Sequence, residues 1–238
     1  MLNYNLEVNL KVMDMYSSKT DKELLELLQQ YSMLTFESQL ILKNEIEKRN
    51  LSQADVSGLE KAISEKLEKI KNLEYLKDFG FKAASDGEGV VVTRTTNAVL
   101  TDVFAVILGL VVFFIGINGI IDLVFTFMNG DELDVFTLAM KLAMASLIFI
   151  AIRFFSGIGR LFDYWGFELS NLEGVITLKK RFDVKLEEMK ASASELLLET
   201  QDDNLGLKLK DRTIFTSNAD NLIQRMTLEE LVKKLGTH

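Results

Sequence analysis

VFAVILGLVVFFIGINGII, residues 103–121, is a run of 19 residues with no charge and one strongly polar side chain, Asn118. At 1.5 Å per residue a helix of that length reaches about 28 Å, close to the hydrocarbon thickness of a bilayer. Fourteen of its residues are Leu, Ile, Val or Phe. At roughly −0.3 to −0.6 kcal/mol each they favour insertion by about 4–8 kcal/mol. A transmembrane helix is therefore predicted over residues 99–125.

A second apolar stretch, residues 135–155, follows a short acidic loop at residues 126–134. It has 11 residues of the same four types but contains Lys141 and ends near Arg153. A Lys at a helix centre opposes insertion by roughly 2.5–3.5 kcal/mol. Lys141 is only seven residues in, so its ammonium reaches toward the nearer interface. Insertion is favourable but marginal, and pairing with the first helix assists it. The competing reading is an interfacial or buried amphipathic helix.

Orientation follows from the basic residues. The loop has no Lys or Arg and carries Asp131, Glu132 and Asp134. Lys82 and Arg94 precede the first span, and Arg153, Arg160, Lys179, Lys180 and Arg181 end or follow the second. The positive-inside bias places both termini in the cytoplasm and the loop outside, with Lys141 counting against. Phe154, Phe155, Phe162, Tyr164 and Trp165 suit the inner interface.

Composition narrows the chemistry. Cys is absent and the one His is His238, which argues against thiolate or His-ligated metal, Cys nucleophiles and a Ser-His-Asp triad. No cofactor site is expected. The net charge of −8 argues against general nucleic-acid binding. The opening MLNYNLEVNLKVMDMYSS has no apolar core, so no secretory signal is expected and the first span is its own insertion signal.

The N-terminal region reads as helical. Thr20-Asp21-Lys22-Glu23 is a capping box followed by Leu24, Leu25, Leu27 and Leu28. Thr35 caps a second helix, and Ser52-Gln53-Ala54-Asp55 a third. In the third, Leu59, Ile63, Leu67, Ile70, Leu73 and Leu76 recur at helical spacing. That stripe packs on the first two helices or, alternatively, forms a short coiled coil with a partner.

Residues 16–51 resemble a short helical motif found in many uncharacterised bacterial membrane proteins. The resemblance rests on the acidic-Leu helix (Asp21, Glu23, Leu24, Leu25), Tyr31, and the Glu-x-x-x-Arg-x-Leu pattern of Glu45, Arg49 and Leu51. The motif's usual Gly is Asn50 here, a residue that also adopts the left-handed cap conformation, and its usual Pro is missing. The resemblance implies a bacterial origin and a membrane setting, and no activity.

Residues 80–89 read as a loop and Val90–Thr93 as a short strand. Beyond the second span the period becomes two, with Ile176, Leu178, Phe182, Val184 and Leu186 alternating with polar residues. Residues 195–201, 205–211 and 213–216 read as further strands, and Thr227-Leu228-Glu229-Glu230 as a capping box for a closing helix. This arrangement resembles the pleckstrin-homology-like domains of some bacterial membrane proteins in architecture alone. The strand at Val90–Thr93 lies on the same side of the membrane as this domain, and the sequence leaves open whether it joins it or stands apart.

The expected fold is an α+β membrane protein with N-terminal helices, a transmembrane helical hairpin and a small C-terminal antiparallel β domain closed by a helix. The regions are a cytoplasmic helical part (1–79), a loop and short strand (80–98), the first span (99–125), the external loop (126–134), the second span (135–155) and a cytoplasmic β-rich domain (156–238).

Asn118, Asp122 and Lys141 are the polar candidates at membrane depth. Asp122 and Lys141 are expected to pair near the outer end of the hairpin, with interface snorkelling or transport as alternatives. Gly109, Gly116 and Gly119, with Ala139, Ala143 and Ser146, are the small residues that allow close helix approach, within the hairpin or, alternatively, across a dimer face. Gly116 and Gly119 are expected opposite Ala143 and Ala139. Lys179, Lys180 and Arg181 read as a solvated strand end, with contact to anionic headgroups as the alternative. Asp86-Gly87-Glu88-Gly89 is acidic and lacks a following Lys, which argues against a nucleotide loop. The adjacent carboxylates Glu187–Glu188 and Asp202–Asp203 show no cleft for a hydrolase. The expected function is a membrane-anchored cytoplasmic interaction or scaffold module without catalytic activity, in the bacterial inner membrane. It would bind a protein partner and could self-associate. The alternative is a subunit of a small oligomeric channel or transporter.

Overall fold

The computed structural model describes residues 10–51, 55–85, 89–130, 134–154, 156–182, 185–201 and 204–236. In chain order the helices and strands are α1 (Leu10–Ser17), α2 (Asp21–Gln29), α3 (Phe36–Lys48), α4 (Ser57–Lys71), β1 (Phe81–Ser85), β2 (Gly89–Arg94), α5 (Thr96–Asn129), α6 (Val135–Phe154), α7 (Ser156–Asp163), β3 (Glu168–Leu172), β4 (Val175–Phe182), β5 (Lys185–Ser192), β6 (Leu196–Gln201), β7 (Asn204–Leu209), β8 (Arg212–Asn218) and α8 (Leu222–Gly236). The fold is α+β, with helices and two antiparallel sheets ordered β1-β2-β3-β4-β5 and β6-β7-β8.

The chain forms two units, each built from two separate stretches. One unit joins Met1–Leu76 to Leu196–Lys234, and the other joins Lys77–Glu195 to Leu235–His238. This corrects the expectation of one β-rich domain over 156–238. Strand β3 pairs with β2, which draws β3–β5 into a sheet begun before the first span. Strands β6–β8 form a sheet of their own, and Met226 of α8 is buried with the N-terminal helices.

In the first unit the capping box forms as read: the Thr20 amide donates to Glu23 at 2.8 Å and the Glu23 amide to the Thr20 hydroxyl at 3.4 Å. The Thr20 amide and the Thr20 hydroxyl, at 2.7 Å, both donate to the Glu23 carboxylate and hold it below its ordinary value. Leu24 and Leu28 then turn inward onto Phe36, Leu42, Ile46, Leu59 and Ile63. Arg49 closes the end of α3. Its Nε donates to Glu45 at 2.7 Å, and its other nitrogens donate to Asp21 at 2.9 Å and to the carbonyls of Lys19 and Ser17 at 2.7 and 2.8 Å. Asn50 follows at φ +51°, the left-handed conformation a helix end needs.

Two expectations here need correction. The stripe from Leu59 to Leu76 is not one helix: α4 ends at Lys71, and Leu73 takes φ +58° before a 3₁₀ turn at Glu74–Phe79. The closing helix starts five residues before Thr227, where the Asn221 side chain accepts the Gln224 amide at 3.2 Å. Thr227 lies inside α8 and donates its hydroxyl to the Ile223 carbonyl at 2.7 Å. Of the cap read at 52–55, Ser52, Gln53 and Ala54 lie outside the described residues, while Asp55 accepts the Ser57 amide at 3.1 Å.

In the second unit the buried face of the five-stranded sheet carries Val90, Val92, Leu169, Ile176, Leu178 and Ala191. Residues 80–89, expected as a loop, include β1. The alternation from Ile176 to Leu186 is a hairpin of β4 and β5, whose turn at 183–184 lies outside the described residues. The predicted strand at Val90–Thr93 does join the sheet, with Val90 opposite Asn171 and Thr93 opposite Glu168. Helices α5 and α6 are thus inserted in the connection between neighbouring strands β2 and β3. Helix α5 has 34 residues and runs through 126–129, which were expected in the loop; Gly130 ends it at φ +68°. The Asp86, Gly87, Glu88, Asp131, Glu132, Asp202, Asp203 and His238 of the sequence reading lie outside the described residues.

Candidate functional site

Helices α5 and α6 pack antiparallel, and two glycines set how closely. A Cβ on Gly116 would stand 2.8 Å from the Ile148 amide nitrogen, and one on Gly119 2.8 Å from that of Ala145. Gly109 is buried on the same helix. Close backbone approach at small residues is how helices associate where no hydrophobic drive exists between them.

The facing residues on α6 differ from those expected. Ala139, Ala143 and Ser146 are exposed on the far side of that helix, and Ser146 donates its hydroxyl to the Ala143 carbonyl at 2.6 Å. The expected register took the turn to be centred near Gly130. Because α5 continues to Asn129 and α6 begins at Val135, the centre lies two residues later and the α6 contacts shift accordingly.

The end of the pair nearest the α5–α6 connection carries a polar cluster. Lys141 Nζ lies 3.1 Å from Asp122 Oδ2 and donates to the Thr126 hydroxyl at 2.6 Å. Thr126 in turn donates to the Asp122 carbonyl at 2.8 Å. Asp134 accepts the Thr137 hydroxyl at 2.6 Å and the amides of Thr137 and Phe136 at 2.9 Å each, which starts α6 and holds the Asp134 carboxyl below its ordinary value. Asn118 is not part of this cluster. It is exposed, and its amide donates to the Phe114 carbonyl one turn back at 2.8 Å.

The end of the pair next to the five-stranded sheet carries a cluster that reading the sequence missed. Asp102, 4% exposed, pairs with Arg94 and stands 3.4 Å from Arg160. Arg94 ends β2, Asp102 lies two turns into α5 and Arg160 is on α7, so one carboxylate ties sheet and helices together. The Arg94 guanidinium also lies over the rings of Phe81 and Tyr164, at 5.7 and 5.0 Å. Those rings meet at 5.1 Å, and Phe167 completes the cluster at 4.9 Å from Phe81. Burial pushes the Tyr164 phenol up. The available signal was Asp102 itself, a lone carboxylate directly ahead of the apolar run.

Lys179, Lys180 and Arg181 do not form one headgroup patch. Successive strand residues point to opposite faces. Lys180 therefore turns to the buried side, over Tyr164 and Phe182 at 4.8 and 5.5 Å, and burial pushes its ammonium down. Lys179 pairs with Glu168 at 3.1 Å, which raises it.

Outside these clusters the two long helices are bare. Only 11% of the most apolar window of α5 is buried, and both helices are long and apolar enough to cross a membrane. Phe104, Phe114 and Phe149 are 71%, 61% and 76% exposed. Set against known proteins, the chain matches no family model, no curated protein and no solved structure.

Proposed function

We propose that the chain is a two-span membrane anchor whose N-terminal helices and two sheets lie in the bacterial cytoplasm, where they act as an interaction or scaffold module for a protein partner. The observation that carries this is the bare apolar surface of α5 and α6. A monomeric soluble protein rarely exposes a contiguous apolar patch beyond about 300–600 Å², whereas a bilayer supplies the missing cover.

Orientation has two supports. The loop lacks Lys and Arg. Lys141, the residue that argued against an outside loop, is matched by Asp122 and the Thr126 hydroxyl. That self-satisfied cluster also supports an anchoring role for these side chains over an ion path. The insertion of α5 and α6 between adjacent strands is consistent with both ends of the hairpin emerging on one face.

The test is membrane fractionation followed by labelling. The protein should resist alkaline carbonate extraction. With Gly130→Cys it should react with an impermeant thiol reagent in intact spheroplasts, and with Ser57→Cys only after permeabilisation. The reverse labelling pattern refutes the orientation, and release by carbonate refutes the anchor.

A further inference from the structure

Asn118 is the exposed amide in the middle of the most apolar run of the chain. About 100° of turn separates successive helix residues, so Asn118 points some 100–160° away from Gly116 and Gly119 and hence away from α6. Its one hydrogen bond among the described residues uses a single N–H, toward Phe114. The second N–H and the side-chain carbonyl oxygen are left facing hydrocarbon, where an unmet polar group is unfavourable.

The opposite flank of the hairpin has the matching surface. Gly116 against Ile148 and Gly119 against Ala145 set the levels, which puts Asn118 level with Ser146. On the same register Ile121 is level with Ala143, and Phe125 with Ala139. Phe125 and Ile121 are 57% and 47% exposed on the Asn118 stripe, and the three α6 residues are exposed on theirs. A row of large side chains around one amide thus faces outward on α5. A row of small ones around one hydroxyl faces outward on α6, residue for residue at the same depth.

Resting on the membrane reading above, we infer that a second copy of this chain docks its α6 stripe against the Asn118 stripe of α5. Copies in one bilayer share an orientation and are related by an axis along its normal, so equal depths meet. Phe125 seats at Ala139, Ile121 at Ala143, and the Asn118 amide reaches Ser146. Small residues let the backbones approach, and interhelical polar contacts then hold them. Two α5 stripes facing each other would instead be held apart by Phe125 and Ile121. The contact is head to tail, so repetition builds a ring or a row and not a closed pair.

The chain has no Cys, so engineered thiols report cleanly. Phe114→Cys and Ile150→Cys are level with each other, one turn beyond Asn118 and Ser146, and leave both polar residues in place. In native membranes treated with a disulfide-forming oxidant, the double variant should give a ladder of covalent multimers, and neither single variant should cross-link. Adding Asn118→Leu should reduce the ladder at least tenfold while carbonate-resistant membrane content stays unchanged. Dimers from Phe114→Cys alone, monomers throughout, or a ladder indifferent to Asn118→Leu would overturn the inference. Release of the unmodified protein by carbonate would refute the membrane reading instead.

Discussion

Thr93 lies opposite Glu168 on adjacent antiparallel strands, although both long apolar helices separate them in the chain. Paired strand residues of this kind have Cα atoms about 4.5–5.5 Å apart, within reach of a disulfide. Thr93→Cys with Glu168→Cys should therefore close an intramolecular bridge on oxidation. Mass spectrometry of the proteolysed protein would find the two peptides linked. Their absence from one linked species would mean that β2 and β3 are not neighbours.

Lys141 and Asp122 form one polar group with Thr126. Lys141→Met leaves the carboxylate without its cation and should lower the melting temperature in detergent. Adding Asp122→Leu should recover much of that loss, because removing both charges also removes the need to solvate them. The expected coupling is about 0.5–3 kcal/mol in a double-mutant cycle; additive losses would show that the two side chains act independently.

Gly119 and Gly159 should respond oppositely to the same change. A Cβ at Gly119 meets the α6 backbone at 2.8 Å, whereas one at Gly159 meets open space. Gly119→Ala must push the helices apart and should destabilise by about 1–3 kcal/mol. Gly159→Ala should stabilise α7 by up to about 1 kcal/mol through helix propensity. Thermal melts of the two variants in one detergent decide this, and equal responses would remove Gly119 from the interface.

Arg49 has four partners from three segments, a geometry that a lysine ammonium cannot reproduce. Its bonds to Asp21 and Glu45 also push its already high proton affinity upward. Arg49→Lys should destabilise this end of α3, seen as faster hydrogen exchange in α1 and α2 with exchange in β1–β5 unchanged. Unaltered exchange in α1 and α2 would relegate Arg49 to a solvated surface charge.

What could be read in advance follows from how far each signal extends. Residues 103–121 are legible because hydropathy needs no partner. The capping box at Thr20 and the left-handed Asn50 are legible because they involve neighbours only. Strand β1, FKAAS, has one large apolar residue and β3, ELSNL, has two; neither has an alternation long enough to detect. The β4–β5 turn was hidden because alternation continued across it. The small residues of α6 were assigned to the wrong side because their facing depends on where the turn is centred, and no pattern within the helix states that. Arg94, Asp102 and Arg160 were missed as a group because their meeting depends on tertiary structure.

The insertion of the hairpin between β2 and β3 has a consequence for synthesis. When β2 leaves the ribosome its partner does not exist, and about 70 residues must follow before β3 appears. At 5–20 residues per second that delay is on the order of 4–15 s. Through it, the edge of β2 that will receive β3 presents unpaired amides and carbonyls, the kind of edge that recruits other chains. With α5 and α6 placed across a bilayer, as proposed above, their insertion must be finished, or nearly so, before the sheet can close. On that placement closure of β2 on β3 is a checkpoint: a chain whose hairpin has not inserted keeps the β2 edge open to chaperones and proteases.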